Sequence, residues 1–515
     1  MPDECIIGVG RRGVSALAVA AMLLLSLPSL GAEGDTKPPA SSSTSPSSEA
    51  PRLPPAAETK HTISLGQRSL NYRAVAEPIA LSDPRGGHTA SIFTVSYLVE
   101  PQQGQPRPVA FLFNGGPGAA SAYLHLGAVG PRIMEPLANG TVPGPPVRLV
   151  DNPATWLDFT DLVFVDPVGT GYSRGEGKDD NSNKPFLNVH ADLESLDTVV
   201  RLWLTQHQRW ASPVYLVGES YGGFRVAAMA KSLAHDEGIV ASGLVMVSPA
   251  LNTALLNPDI ASLVGASLEL PSYAATAAAF SGKTDVDLTA VERFALTDYL
   301  VGLATMKGVP PPGDPFIAKI ATMIGLPEDI VRRERGWVGS GIFIRELRRS
   351  QNEVLSLYDA TITRPSPANP WDNTASDPVL DNATQAYTAA FNAYAASELN
   401  YHTELPYRVL SRDINRQWSW DGARRGDDGL GLALSGLQTA QLEHPETKVL
   451  IANGRYDLTT PYFGSRWLID QLAVPAATRE AIRLRVYDGG HMMYLRPKSR
   501  DALAADAREL FTTQR

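Results

Sequence analysis

Short unbroken apolar runs alternate along this chain with longer stretches of helical periodicity. Pro108-Val-Ala-Phe-Leu-Phe113, Leu162-Val-Phe-Val-Asp166, Val214 to Val217 and Gly243-Leu-Val-Met-Val-Ser248 each read as a strand buried on both faces. Leu187 to Gln208, beginning near Asn188, has the spaced apolar positions of a helix, and so does the stretch from Phe224 onward. Strands separated by helices predict a mainly parallel sheet flanked by helices, the α/β class, with active groups at its carboxyl edge. Ahead of them, Ser69 to Val75 and Ala90 to Val99 alternate apolar and polar, which predicts antiparallel edge strands. Between about Leu251 and Glu443 the pattern turns alanine-rich and helical, as in Ala274 to Ala279 and Thr384 to Leu399. Proline and glycine loops such as Pro310-Pro-Pro-Gly313 punctuate it. We expect residues 251–443 to be a mostly helical cap inserted over the sheet edge. Strand patterns resume at Lys448 to Ala452 and Arg483 to Tyr487, and a helix from about Arg500 closes the chain. The core is thereby expected in two parts, 61–250 and 444–515.

At 515 residues the chain exceeds the usual single core, which agrees with one large domain carrying an insertion. A net charge of −9 disfavours nucleic acid or an anionic membrane surface as a partner. Cys5 is the sole cysteine, so neither an intrachain disulfide nor a thiolate metal site can form. Arg11 and Arg12 precede an apolar stretch, Gly13 to Leu30, that ends in the small residues Gly31 and Ala32. Residues 1–32 are expected to be a signal peptide, removed on export, leaving no stable membrane insertion. The Pro/Ser-rich segment 33–60 is expected to be a disordered linker. Export without disulfides points to a secreted or periplasmic protein of a bacterial envelope. Two phosphate-loop lookalikes are set aside. Gly8-Val-Gly-Arg-Arg-Gly13 has no strand before it, and Gly282-Lys-Thr284 has Ala277 where the first glycine belongs.

The candidate chemistry starts at Gly218-Glu-Ser220-Tyr-Gly222. An apolar strand precedes it and an amphipathic helix follows, the setting in which a G-x-S-x-G turn lifts a serine hydroxyl into the open. Gly171-Tyr-Ser173-Arg-Gly175 fits the same pattern, but a charged glycine-rich loop follows it, so Ser220 is preferred as nucleophile. Asn114-Gly-Gly-Pro-Gly118, at the end of a buried strand, reads either as half of an oxyanion hole or as an ordinary tight turn. In an α/β-hydrolase core the base and acid must follow the serine in the order acid, then histidine. Of nine histidines only His491 follows the resumed strands, in a loop just past one of them. Asp457, also directly after a strand, is the preferred acid, with Asp488 its competitor. Ser220 would attack, His491 would take and return the proton, and Asp457 would orient the imidazole.

With these motifs in place the chain resembles the serine carboxypeptidase family of the α/β-hydrolase superfamily. Asn114-Gly-Gly-Pro-Gly118, Pro167-Val-Gly-Thr-Gly-Tyr-Ser173, Gly218-Glu-Ser-Tyr221, Gly454 to Asp457 and Gly490-His-Met492 are similar to that family's motifs, in the same order. The resemblance covers roughly residues 90–250 and 445–495. It implies an oxyanion hole from the N–H groups of Gly116 and Tyr221. It also implies a grip on a peptide's terminal carboxylate by Asn114, Glu219 and the N–H of Gly115, and neither metal nor organic cofactor. Carboxylesterases and proline aminopeptidases resemble His-Gly-Gly at the oxyanion loop, where this chain has Asn114. Departures are Gly222 for the family's usual alanine (a change expected to be tolerated), Ala119-Ala120 for Cys-Ser, Val165-Asp166 for Asp-Gln, and no disulfides. The expected function is removal of C-terminal residues from peptides with a free C-terminus. An esterase or acyltransferase on the same residues, or a binding protein on a hydrolase scaffold, are the alternatives. The preferred side chain and the oligomeric state are not legible.

Overall fold

The computed structural model describes residues 53–512 apart from 101–105, 145, 178, 257–261, 284–285, 367–376 and 421–430. The expected signal segment, Cys5, most of the expected linker, the Gly8 to Gly13 pattern and Thr284 lie outside those residues. Strand β1, Ala57–Leu65, pairs antiparallel with β2, Arg68–Ser82, and β2 with β3, His88–Val99. The linker therefore stops short of residue 60. From Ala57 the polar residues alternate in register with β2, Glu58 reaches Arg73 at 2.8 Å, and His61 stacks on Tyr72.

Five-residue strands β4, Val109–Phe113, and β5, Asp161–Val165, are buried at every position. Helix α1, Val189–Gln206, starts where the Asn188 side chain accepts the N–H of Ala191 at 3.0 Å. It leads to β6, Val214–Glu219, helix α2, Tyr221–Asp236, and β7, Gly243–Val247. After the insertion come β8, Lys448–Gly454, and β9, Arg483–Tyr487. Among the described residues these form one ten-stranded sheet of order β1-β2-β3-β5-β4-β6-β7-β8-β9, with the short strand Arg174–Gly175 beside β3. From β5 to β9 every pairing is parallel. This is the doubly covered parallel sheet of an α/β hydrolase, with an antiparallel edge.

Period-two alternation splits each buried strand between two cores. Ala110 and Leu112 of β4 join Phe164, Val217 and Val245 on one face, while Val109, Phe111 and Phe113 join Trp203 and Phe224 on the other. The segment between β7 and β8 is mostly helical. Its helix α3, Leu263–Phe280, belongs to a separate core with Phe294, Ile317, Ile320 and Phe343. Its helix α4, Pro378–Ser397, instead sends Tyr387 and Phe391 into the first face of the sheet. The helix Pro497–Thr512 closes that face with Leu503, Leu510 and Phe511.

Candidate active site

Three loops meet at the carboxyl ends of β4, β6 and β8. The β6–α2 turn holds Ser220 at φ 61° and ψ −123°, a left-handed conformation that a residue with a side chain adopts only when its surroundings impose it. The imposition is visible in Gly222. A methyl group there would overlap the carbonyl oxygen of Phe113, so the turn packs directly against the end of β4. Glycine is accommodated at this position, and an alanine would not fit without movement. Ser220 itself is partly exposed, and its carbonyl accepts the N–H of Gly223 at 2.9 Å and of Ala250 at 3.0 Å.

The Asn114–Gly118 loop lies on this turn. A methyl group on Gly115 would overlap the N–H of Tyr221, which brings the two expected halves of an oxyanion hole side by side. Gly116, at φ 99°, carries the loop onward. Among the described residues neither the Gly116 N–H nor the Tyr221 N–H meets an acceptor. Two donors, one at the start of α2 and one in the loop after β4, are thus left for a developing negative charge. Asn114 and Glu219 are brought together: the Asn114 amide donates to Glu219 Oε2 at 2.8 Å and its own oxygen accepts the Leu124 N–H at 3.1 Å. Glu219 is 3% exposed, and burial pushes it up to about 7 against the opposing pull of His491 and its hydrogen-bond donors.

His491 Nδ1 stands 2.8 Å from Asp457 Oδ2. Asp457 is fully buried, and four further donors fix it. Oδ1 accepts the N–H and hydroxyl of Thr459 at 2.8 and 2.7 Å and the N–H of Thr460 at 3.0 Å, while Oδ2 accepts the Thr460 hydroxyl at 2.6 Å. Burial alone would raise Asp457, but the charge and hydrogen bond of His491 and the two threonine hydroxyls outweigh it and hold it below the usual carboxylate range. Burial alone would lower His491, and Asp457 outweighs that and raises it. The His491 carbonyl accepts the Ser248 hydroxyl at 2.9 Å, and the ring meets Tyr358 edge-on at 5.1 Å. Ser248 directly follows β7, next to the Ser220 turn, so the His491 backbone is tied to the strand beside Ser220.

The competitors sit elsewhere. Ser173 Oγ is fully buried, donating to the Asp166 carbonyl at 2.6 Å and accepting the Phe93 N–H at 2.8 Å. Asp488 is mostly exposed and pairs with Arg496 at 2.7 Å.

Sequence reasoning missed four supports. Thr459 and Thr460 follow Asp457 two and three residues on, and hydroxyls near a buried acid were the available signal. Tyr494, three residues past His491, donates to Glu219 Oε2 at 2.8 Å. Arg225, one turn into α2, grips Asp192 with two bonds at 2.7 and 3.0 Å, donates to the Asn114 carbonyl and lies 4.7 Å from the centre of the Tyr221 ring. Nothing in the local pattern marks it.

Comparison with known proteins finds similarity over part of the chain. The profile of the serine carboxypeptidase family matches residues 90–255, which carry the Asn114–Gly118 loop and Ser220. Serine carboxypeptidase-like 36 of Arabidopsis thaliana is 28% identical over 197 residues, 36% of this chain and 37% of that protein. The pheromone-processing carboxypeptidase kex1 of Sclerotinia sclerotiorum is 27% identical over 155 residues, 28% of this chain and 21% of that protein. The aligned part thus spans well under half the length of these relatives. Esterase E22, a solved structure, covers 88% of this chain at 12% identity with a TM-score of 0.37, too low to carry an argument; the fold stands on its strand order. Over residues 90–255, and on an α/β-hydrolase sheet, this chain is similar to the serine carboxypeptidases.

Proposed function

We propose that the protein is a serine carboxypeptidase that removes residues from the free C-termini of peptides. The observation that carries this reading is the buried Glu219–Asn114 pair immediately beside Ser220. A carboxyl that keeps its proton near neutrality is a hydrogen-bond donor, as is the amide N–H₂, and two donors with the Gly115 N–H suit a carboxylate. An ester or amide terminus would leave these buried groups without their partner.

In this reading Ser220 Oγ attacks the last peptide carbonyl and passes its proton to His491, while the N–H groups of Gly116 and Tyr221 take the oxyanion. His491 then protonates the departing amine, the C–N bond breaks, and an ester on Ser220 remains. Water, deprotonated by His491, hydrolyses that ester. Asp457 stays ionised throughout and stabilises the imidazolium, in keeping with its lowered pKa. No metal or organic cofactor takes part in these steps. With residues 1–32 as an export signal, the enzyme would work in the bacterial envelope or outside the cell. Among the described residues no helix is long and apolar enough to cross a membrane.

The test is a pair of measurements. A fluorophosphonate should label Ser220 covalently, and matched peptides with free and amidated C-termini should separate in kcat/KM in favour of the free acid. Asn114→Ala should weaken the free acid strongly and the amide little. Equal loss on both would reduce Asn114 to a turn residue.

A further inference from the structure

Among the described residues, both hydrogen bonds received by the Glu219 side chain end on the same oxygen. The Asn114 amide and the Tyr494 hydroxyl each donate to Oε2 at 2.8 Å. Asn114 cannot turn its oxygen toward Glu219 without giving up the Leu124 N–H, so its N–H₂ is committed. The Tyr494 ring is held in place, which keeps its hydroxyl on Oε2. Tyr494 is fully buried, sits on the short turn Met493–Leu495, and packs so closely on Gly127 that a methyl group there would come within 2.9 Å of its ring.

A neutral carboxyl has one proton and two oxygens. An oxygen that already accepts two donors has no room for the proton, which is left to the other oxygen. We propose, building on the carboxypeptidase reading, that Tyr494 is a positioning residue of the carboxylate grip. Its hydroxyl, with the Asn114 amide, holds Glu219 Oε2 as the acceptor and leaves the carboxyl proton on Oε1 for a peptide's terminal carboxylate. Because Tyr494 and His491 share one loop, the same segment sets the base over Ser220 and the proton on Glu219.

The groups facing Glu219 come from every neighbouring element. His491 and Tyr494 lie on the histidine loop, Asp457 on the loop after β8, Tyr123 beside the Asn114 loop, and Tyr358 and Tyr387 on the insertion. The tyrosines stay protonated across the working range, all pushed up by burial. That leaves His491 and Asp457 as the titrating neighbours.

Tyr494→Phe keeps the ring and removes one donor. The experiment measures KM and kcat against pH for wild type, Tyr494→Phe, Glu219→Gln and the double variant, on one peptide with free and amidated C-terminus. For Tyr494→Phe the KM of the free acid should rise about two- to tenfold more than that of the amide, the range of one neutral hydrogen bond. Its alkaline limb should move to higher pH, because the lost donor favoured the ionised form of Glu219. Loss of packing would not move that limb. In the Glu219→Gln background, where nothing ionises, the limb should be absent with or without the tyrosine hydroxyl. A wild type that favours the free acid but a Tyr494→Phe limb that stays in place would overturn the role of Tyr494 alone. A wild type with no preference for the free acid would overturn the carboxypeptidase reading, and this proposal with it.

Discussion

The guanidinium of Arg225 donates to the backbone carbonyl of Asn114, tying the helix that begins at Ser220 to the loop that faces it. The same side chain is 1% exposed, paired with Asp192 and stacked near Tyr221, so one cation braces both the Asn114 loop and the Tyr221 turn, the two sides of the proposed oxyanion hole. Arg225→Met should cost about 3–5 kcal/mol in a denaturant melt, since it strands Asp192 as a buried unpaired charge. Arg225→Lys keeps the charge but loses the fork. It should lower kcat on ester and peptide substrates alike, by up to about 10²-fold, the scale of losing one oxyanion donor. An Arg225→Lys enzyme with wild-type kcat would show that the brace has no part in the chemistry.

The two serine motifs should part cleanly under mutation. Ser220→Ala should lower turnover by several orders of magnitude, as loss of a triad member does. Ser173→Ala removes two buried hydrogen bonds and should instead cost about 1–3 kcal/mol of stability while leaving turnover measurable. Thermal melts and initial rates on the two variants decide it, and a dead but stable Ser173→Ala would reverse the assignment.

Asp457→Asn should reduce kcat by about 10⁴-fold, the scale known for this change in a serine protease triad. Asp488→Asn, at a mostly exposed ion pair, should change kcat little. Similar losses from the two substitutions would leave the acid unassigned.

Gly222→Ala tests the contact between the serine turn and the end of β4. The added methyl meets the Phe113 carbonyl oxygen, a backbone atom that cannot swing away. A loss of about 1–3 kcal/mol is expected, as for other insertions into a packed site. An unchanged melt would mean that the turn can back off from the strand.

The pH profile follows from two groups. Free-acid peptides need Glu219 protonated, so their kcat/KM should fall as pH rises through about 7, where Glu219 loses its proton. They also need His491 neutral, and its raised pKa brings the acid limb up toward the same region. The result should be a narrow bell near neutrality rather than a broad mildly acidic plateau. Amidated peptides need only neutral His491, so they should keep rising to an alkaline plateau. Superimposable profiles for the two peptides would rule out a proton on Glu219.

The parallel strands and the loops at their ends were legible because each is local. A buried run followed by glycines carries its own signature, and the chain order picked out His491. The supports were not legible because they are made at long range. Arg225 meets Asn114 across 111 positions and Tyr494 meets Glu219 across 275, with no periodicity linking either pair. Strand β1 was passed over because polar alternation on an exposed edge strand looks like the linker that precedes it. That Gly222 has no room for a methyl group was not legible for a related reason: available space is a property of the neighbouring strand, not of the motif.

The insertion has a consequence for how the protein comes to be active. Strand β7 pairs with β8 through Gly243 and Lys448, so about two hundred residues must be made and looped out before that ladder can close. Ser220 and its oxyanion loop are emitted on the near side of that loop, Asp457 and His491 on the far side. Under the proposed mechanism, a nascent or truncated chain would therefore hold a nucleophile with no base. Recovery of activity on refolding should trail the return of helical signal, because the β7–β8 ladder must close before β8 and β9 can bring Asp457 and His491 to Ser220.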